Sequence, residues 1–484
     1  MVGFKERTDT GVGMRFIVTD QKELLGHCSH LQTKKFNGWT IYHDGEVEVY
    51  NGGDHIVLYA GYGIEQPLWM NIPDFDSLRD FNGNFFAVKI GWDEVQVQLD
   101  YFNNHKIFHA DKYFREWSNH LPWMTKTEED IVRTWLPYES LLQREFSEEE
   151  TKTFFGHIHS ILNDYDYIQD SKDAYNTKTR TDPDKLVEYI HKCMTEHSNV
   201  IKSCYKNRFI SLSDGIDSAL QSQYFRDDPQ YMYSLSECDA GDDGKKYKKL
   251  VEQDYPHVKH EVIDMSRLRE YTFKYLKDSA TRWASFLPTM KQIADHYDKP
   301  DIVMYGANGD EMFFRDLIPH MQMLALEYWN EDYNVTLHSV LHDLTKKKNQ
   351  YGATYTLGET PSFENYVDDF IRGWLSKDRT QDISEEIMLK WTTPKMYTRV
   401  YSQNNDVLTA SLYNDRRIYH EVLKLPKEYL MKFAMDTPIQ KKILKDKFEY
   451  VLQTPHKDAL YADYKGIFEN IYDATMPQCM SKNV

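Results

Sequence analysis

Phe209-Ile-Ser-Leu-Ser213-Asp214-Gly215-Ile216-Asp217-Ser218-Ala-Leu220 reads as a buried strand that runs into a tight polar turn and then a helix. Ile210 and Leu212 are strand formers, and Leu212 ends the strand where the turn begins. Ser213 and Ser218 supply short hydroxyls, and Gly215 can take a positive φ and let an anion approach the backbone. A helix beginning near Asp217 turns its unpaired N–H groups and positive dipole end toward that anion. The stretch therefore predicts a phosphate-binding turn. Asp217 would repel a bare phosphate, which implies a bridging Mg²⁺. The lysine of a GxxxxGK[ST] loop is missing. A Ser/Asp/Gly-rich turn that merely caps a helix fits the same residues.

Around this turn, short apolar runs alternate with helical stretches: Phe209 to Leu212, Tyr231 to Leu235, Val262-Ile263 and Ile302 to Tyr305. That alternation predicts an α/β domain with a doubly wound parallel sheet. A second strand-to-turn signal is Ile302-Val-Met-Tyr305-Gly306-Ala307-Asn308-Gly309-Asp310-Glu311. Glycines and acids at the carboxyl end of a strand stand where open α/β sheets bind ligands, so Asp310 is a candidate to share Mg²⁺ with Asp217. A helix-starting Gly-Asp-Glu turn is the plainer alternative. A third signal is Tyr461-Ala-Asp-Tyr464-Lys465-Gly466-Ile467, where Lys465 beside a glycine turn could reach the phosphates or could be a solvated surface lysine. From about Leu317 the chain reads as mostly helical, with helix-period runs at 419–423 and 441–448.

Residues up to about 125 read differently. Trp39–Tyr42, Glu46–Tyr50, His55–Tyr59, Asn84–Ile90 and Val95–Leu99 alternate apolar and polar residues between Gly and Asn turns, which predicts a β-rich domain. Charged helical stretches follow from Glu128, and a polar linker surrounds Tyr175–Pro183. We place the boundary there, with one domain over 1–175 and the other over 176–484. At 484 residues the chain exceeds one core of usual size.

Composition narrows the partners. Seventy-six acidic against 58 basic residues give a formal charge of −18, with no Lys/Arg stripe, so neither nucleic acid nor an anionic membrane is expected. Five scattered cysteines without CxxC spacing suggest reduced thiols and no zinc site. No 18-residue apolar run is present, and MVGFKERTDTG has no apolar signal core, so a cytoplasmic protein is expected. These features leave the oligomeric state open, and a homodimer is compatible with them.

The first turn resembles the SGGxDS loop of ATP pyrophosphatases, with Asp214 standing where that group usually has glycine. In order, the pieces resemble the asparagine synthetase family, including its β-lactam synthetase branch. The phosphate loop matches at Ser213, Gly215, Asp217 and Ser218; the GEGSDE turn matches at Gly306, Asp310 and Glu311; and the late lysine-glycine turn matches at Lys465 and Gly466. KxxLR appears as Lys441, Leu444 and Lys445, and PFLD as Leu412-Tyr413-Asn414-Asp415. The resemblance covers about residues 190–470. Phe81–Val88 and Leu99–Phe108 are similar to the family's glutaminase domain, but Val2 stands where an active glutaminase carries its cysteine nucleophile.

The resemblance implies an ATP-pyrophosphatase fold for the later domain and a degenerate Ntn glutaminase-like fold for the first. It implies ATP and Mg²⁺, with a small-molecule carboxylate and ammonia or an amine as substrates. ATP would be held by Leu212, Ser213, Asp214, Gly215, Asp217, Ser218 and Gly306, the metal by Asp217 and Asp310, and Lys465 would be catalytic. The expected activity is adenylation of the carboxylate and acyl transfer to the amine, without glutaminase activity. Ala307 and Leu408 replace residues that choose the substrate in the family, and with Asp214 they point to the alternative of a pseudoenzyme or nucleotide-binding module. The visible residues leave the general base open among Asp406, Glu311 and Tyr305.

Overall fold

The computed structural model describes residues 13–21, 28, 30–102, 104–105, 107–110, 115–120, 123–124, 158–161, 174, 181–212, 215–227, 231–236, 259–264, 300–306, 308–313, 408–425 and 437–450. Ten strands lie among the described residues before 162: β1 (Phe16–Thr19), β2 (Gln32–Phe36), β3 (Trp39–His43), β4 (Glu48–Asn51), β5 (Ile56–Gly63), β6 (Gly83–Ile90), β7 (Val95–Leu99), β8 (Ile107–Ala110), β9 (Glu116–Ser118) and β10 (Ile158–Ile161). They form two antiparallel sheets, ordered β10-β8-β9-β1-β3-β2 and β4-β5-β6-β7.

Alternation decides which faces meet. Phe16 and Val18 of β1 and Ile41 of β3 share one core with Ile56, Leu58 and Ala60 of β5 and Phe86 and Val88 of β6. The Phe16 and Phe86 rings lie 5.2 Å apart. The in-between residues Val57, Phe85 and Ala87 face the other way, onto Leu68, Ile72, Phe75 and Leu78. On the far side of the larger sheet, Ile17 and Tyr42 pack with Cys28, Leu31 and Trp123. The period-two expectation for this region is met by two sheets stacked through one apolar layer.

The later strands are β11 (Arg208–Leu212), β12 (Tyr231–Ser236), β13 (Lys259–Asp264), β14 (Ile302–Met304) and β15 (Leu408–Ala410). They make one wholly parallel sheet in the order β13-β12-β11-β14-β15. The chain leaves β11 outward to β12 and β13, then returns on the other side of β11 to β14 and β15. The switch point of the sheet, where folds of this kind bind ligands, therefore lies between β11 and β14 at their carboxyl ends. β15 interrupts a stretch that reads as helical, because three residues inside a parallel sheet carry too little pattern to register.

The described helices are α1 (Pro183–Cys204), α2 (Ile216–Gln223), α3 (Gly309–Met312), α4 (Arg416–Leu423) and α5 (Pro438–Phe448). Asp182 caps α1 by accepting from Asp184 N, and Pro183 occupies its first turn. Its buried residues Leu186, Ile190, Met194 and Ile201 recur at helical spacing along one face. α2 is buried along almost its whole length. No described helix is long and apolar enough to cross a membrane.

Candidate active site

Both strand-to-helix turns singled out in the sequence lie at the β11/β14 switch point, and they touch. Leu212 ends β11, buried, and α2 starts at Ile216 with Gly215 as its cap. The second turn approaches so closely that a Cβ on Gly306 would lie 2.6 Å from Ser218 N, and one on Gly309 would lie 2.5 Å from Asp217 Cγ. Any larger residue at either glycine collides with the first turn of α2.

Asp217 is held from three sides. Gly309 lies against its carboxyl group, the Tyr413 hydroxyl donates to its backbone carbonyl at 2.9 Å, and Gln440 Nε2 donates to Oδ1 at 3.3 Å. Gln440 comes from α5, and Tyr413 from the loop after β15. That loop is fixed in turn by α2, whose Gln221 Oε1 accepts from Leu412 N at 3.0 Å. The Phe313 and Tyr413 rings meet edge-on at 6.1 Å, which ties the end of the second turn to the same loop.

Leu412-Tyr413-Asn414-Asp415 is buried throughout. Asp415 caps α4 through Arg417 N and also accepts from Asn82 Nδ2 and the Arg417 guanidinium. Burial opposes the charge of Arg417, but its bonds to Asp415 and Glu196 more than offset this and raise its pKa. From the antiparallel sheets, Asn84 Nδ2 donates to Thr409 O at 2.9 Å, and Tyr62 shares a hydrogen bond with His197 of α1. The side chains around β6 therefore reach the parallel sheet directly.

Several sequence expectations take a different form here. Gly215 does not use a positive φ: at φ −74 it is extended, because the cap of α2 needs a β-region residue. The Ser218 hydroxyl donates to Gly215 O at 3.0 Å, so it ties the turn to α2. Asp310 lies in α3, one residue after Gly309, while its side chain falls outside the described residues, as do Ser213, Asp214, Ala307, Lys465 and Gly466. In α5, Leu444 is buried, Lys441 is half-buried and Lys445 is exposed. Sequence reasoning passed over Gln440, Gln221 and Asn308; isolated amides in helices and turns carry no periodic or motif signal.

The described residues gather no group of three His, Cys, Asp or Glu side chains. The hard oxygen donors they offer here are the Asp217 carboxylate and the amide oxygen of Gln440. Gln440 must turn its nitrogen to the Asp217 carboxylate, and its own Oε1, fully buried, has no hydrogen-bond partner. Carboxylate and amide oxygens are what Mg²⁺ prefers. No family model and no curated protein matches the chain.

Proposed function

We propose that this chain is an ATP-dependent amide-forming ligase of the asparagine synthetase type. In this reading the parallel sheet is an ATP-pyrophosphatase unit and the two stacked antiparallel sheets are a glutaminase-like scaffold. The observation that carries it is the meeting of the two turns: Asp217 and Ser218 of one lie against Gly309 and Gly306 of the other at the switch point of the sheet. The order of the motifs along the chain is the second support.

A substrate carboxylate would attack the α-phosphate of ATP, forming an acyl-adenylate and expelling pyrophosphate. Ammonia or an amine would then displace AMP to give the amide. Leu212, Ser213, Asp214, Gly215, Ser218 and Gly306 would line the nucleotide, with the N-terminal N–H groups of α2 facing its phosphates. Asp217 and Asp310 would hold Mg²⁺, whose charge offsets that of the leaving pyrophosphate. Lys465 would counter negative charge as it develops on the phosphates. Cys193 and Cys204 stand as thiols, in keeping with a cytoplasmic setting.

The test is pyrophosphate release from Mg²⁺·ATP with ammonia and a panel of carboxylates added singly. Release that depends on one acid and is lost in Asp217→Ala supports the ligase. A second reading, a nucleotide-binding module, is favoured by the Ser218 hydroxyl already engaged on Gly215 O. Tight Mg²⁺·ATP binding without turnover on any acid would favour that reading.

A further inference from the structure

Three asparagines and one aspartate form a buried line from the antiparallel sheets to the candidate site. Asn308 Nδ2 donates to Asn414 Oδ1 at 2.5 Å, Asn414 Nδ2 donates to Asn104 Oδ1 at 2.5 Å, and Asn104 Nδ2 donates to Asp100 Oδ1 at 2.8 Å. Every amide donates in the same direction, and the line ends on a carboxylate also held by the backbone N–H groups of Phe102 and Asn104. Such chains polarise each link and strengthen one another. None of the four residues is more than 3 % exposed, so water cannot replace a lost link cheaply.

The end of the line matters most. Asn308 has φ 65, the left-handed region that side-chain-bearing residues avoid, and Asn tolerates it better than most. Its carbonyl accepts from Met312 N at 2.8 Å, which starts α3. The reversal at Asn308 brings Gly309 onto the Asp217 carboxyl.

We propose that Asn104, a residue of the loop between β7 and β8, is a positioning residue for the candidate site. Acting through Asn414, it fixes Asn308 in the left-handed conformation that seats Gly309 and α3 against Asp217. The antiparallel sheets thereby set the geometry of a site built on the parallel sheet. The binding readout below rests on the proposed function, whereas the exchange readout does not.

The experiment uses the full chain. In Asn104→Ala without nucleotide, amide exchange over residues 306–313 is expected to quicken about tenfold while β3 stays protected. Calorimetry with Mg²⁺·ATP should show an affinity about tenfold weaker. In an Asn308→Gly background the same Asn104→Ala change should cost no more than about threefold, because glycine holds a positive φ without the amide. Unchanged exchange over 306–313 overturns the proposal, as does an equal loss of affinity in both backgrounds. If the wild-type chain binds no Mg²⁺·ATP, the proposed function fails, and exchange alone decides between the same two outcomes. If Asn104→Ala loosens β3 as well, Asn104→Ser is judged by the same exchange criterion.

Discussion

Gly309 is the glycine packed against the Asp217 carboxyl group. A methyl group there would stand 2.5 Å from Asp217 Cγ and 2.6 Å from Oδ1, so Gly309→Ala must push the carboxylate off its bond to Gln440 or shift α3. We expect the substitution to cost about 1–3 kcal/mol of stability, as overpacking does, with the urea midpoint as the measure. Pyrophosphate release should fall further than that loss explains, since the displaced group is the metal ligand of the proposed reaction. Wild-type release at saturating Mg²⁺·ATP would show that Asp217 tolerates the move. The place of Asp217, in the first turn of a helix that follows a strand and a Ser/Gly turn, was readable from the sequence. Gln440 was not, since a single glutamine within a lysine-rich helix looks like any solvated residue.

Among elements, the loop from Ser411 to Asp415 does the most joining. It leaves the parallel sheet at β15, delivers Tyr413 to Asp217 and Asn414 to the amide line, and caps α4 with Asp415. Removing the Asp415 carboxylate takes away the acceptor of Asn82 Nδ2, leaves the partly buried Arg417 with Glu196 but without its buried carboxylate partner, and uncaps α4. Asp415→Ala should therefore destabilise by about 3 kcal/mol or more, of which the cap contributes about 1. Asp415→Asn, which keeps a capping oxygen, should lose less; equal urea midpoints for the two variants would refute this division. Strands β3, β4, β5, β6, β7, β11, β12, β13 and β14 follow from the sequence because their alternation or apolar runs can be read there. The sequence marks the loop only as a faint match to PFLD and leaves β15 unmarked, since what makes them a unit is contact with residues about 200 to 330 positions away.

At the scale of the whole molecule, one apolar core runs from the stacked antiparallel sheets into the parallel sheet, and buried polar groups cross it. That arrangement makes stability depend on pH. Burial lowers His105 to about 3 and His197 to about 4, so the unfolded chain takes up two protons below about pH 6.5 that the folded chain refuses. Their stabilisation is present above that pH and is lost on acidification. Burial raises Asp100 to about 7 against the N–H groups of Asn104 and Phe102, and its contribution runs the other way, present in acid and lost as pH rises through about 4 to 7. Two protons outweigh one, so the urea midpoint should climb from about pH 4 to about 6.5 and then level or fall; His197→Gln should flatten the climb, and an unchanged slope would contradict the assignment. The division into a β-rich front and an α/β remainder was legible in composition and period, while the polar seam was not, because asparagines scattered over 330 residues converge only in the folded chain. If the proposed function holds, the β11/β14 switch point cleaves ATP between its α and β phosphates to activate a carboxylate. Phosphorus NMR of Mg²⁺·ATP incubated with the full chain, ammonia and the carboxylate panel tests it most directly. The account predicts AMP and pyrophosphate in equal amounts, dependent on one acid and absent in Asp217→Ala; ADP and phosphate, or ATP left intact with every acid, would contradict it.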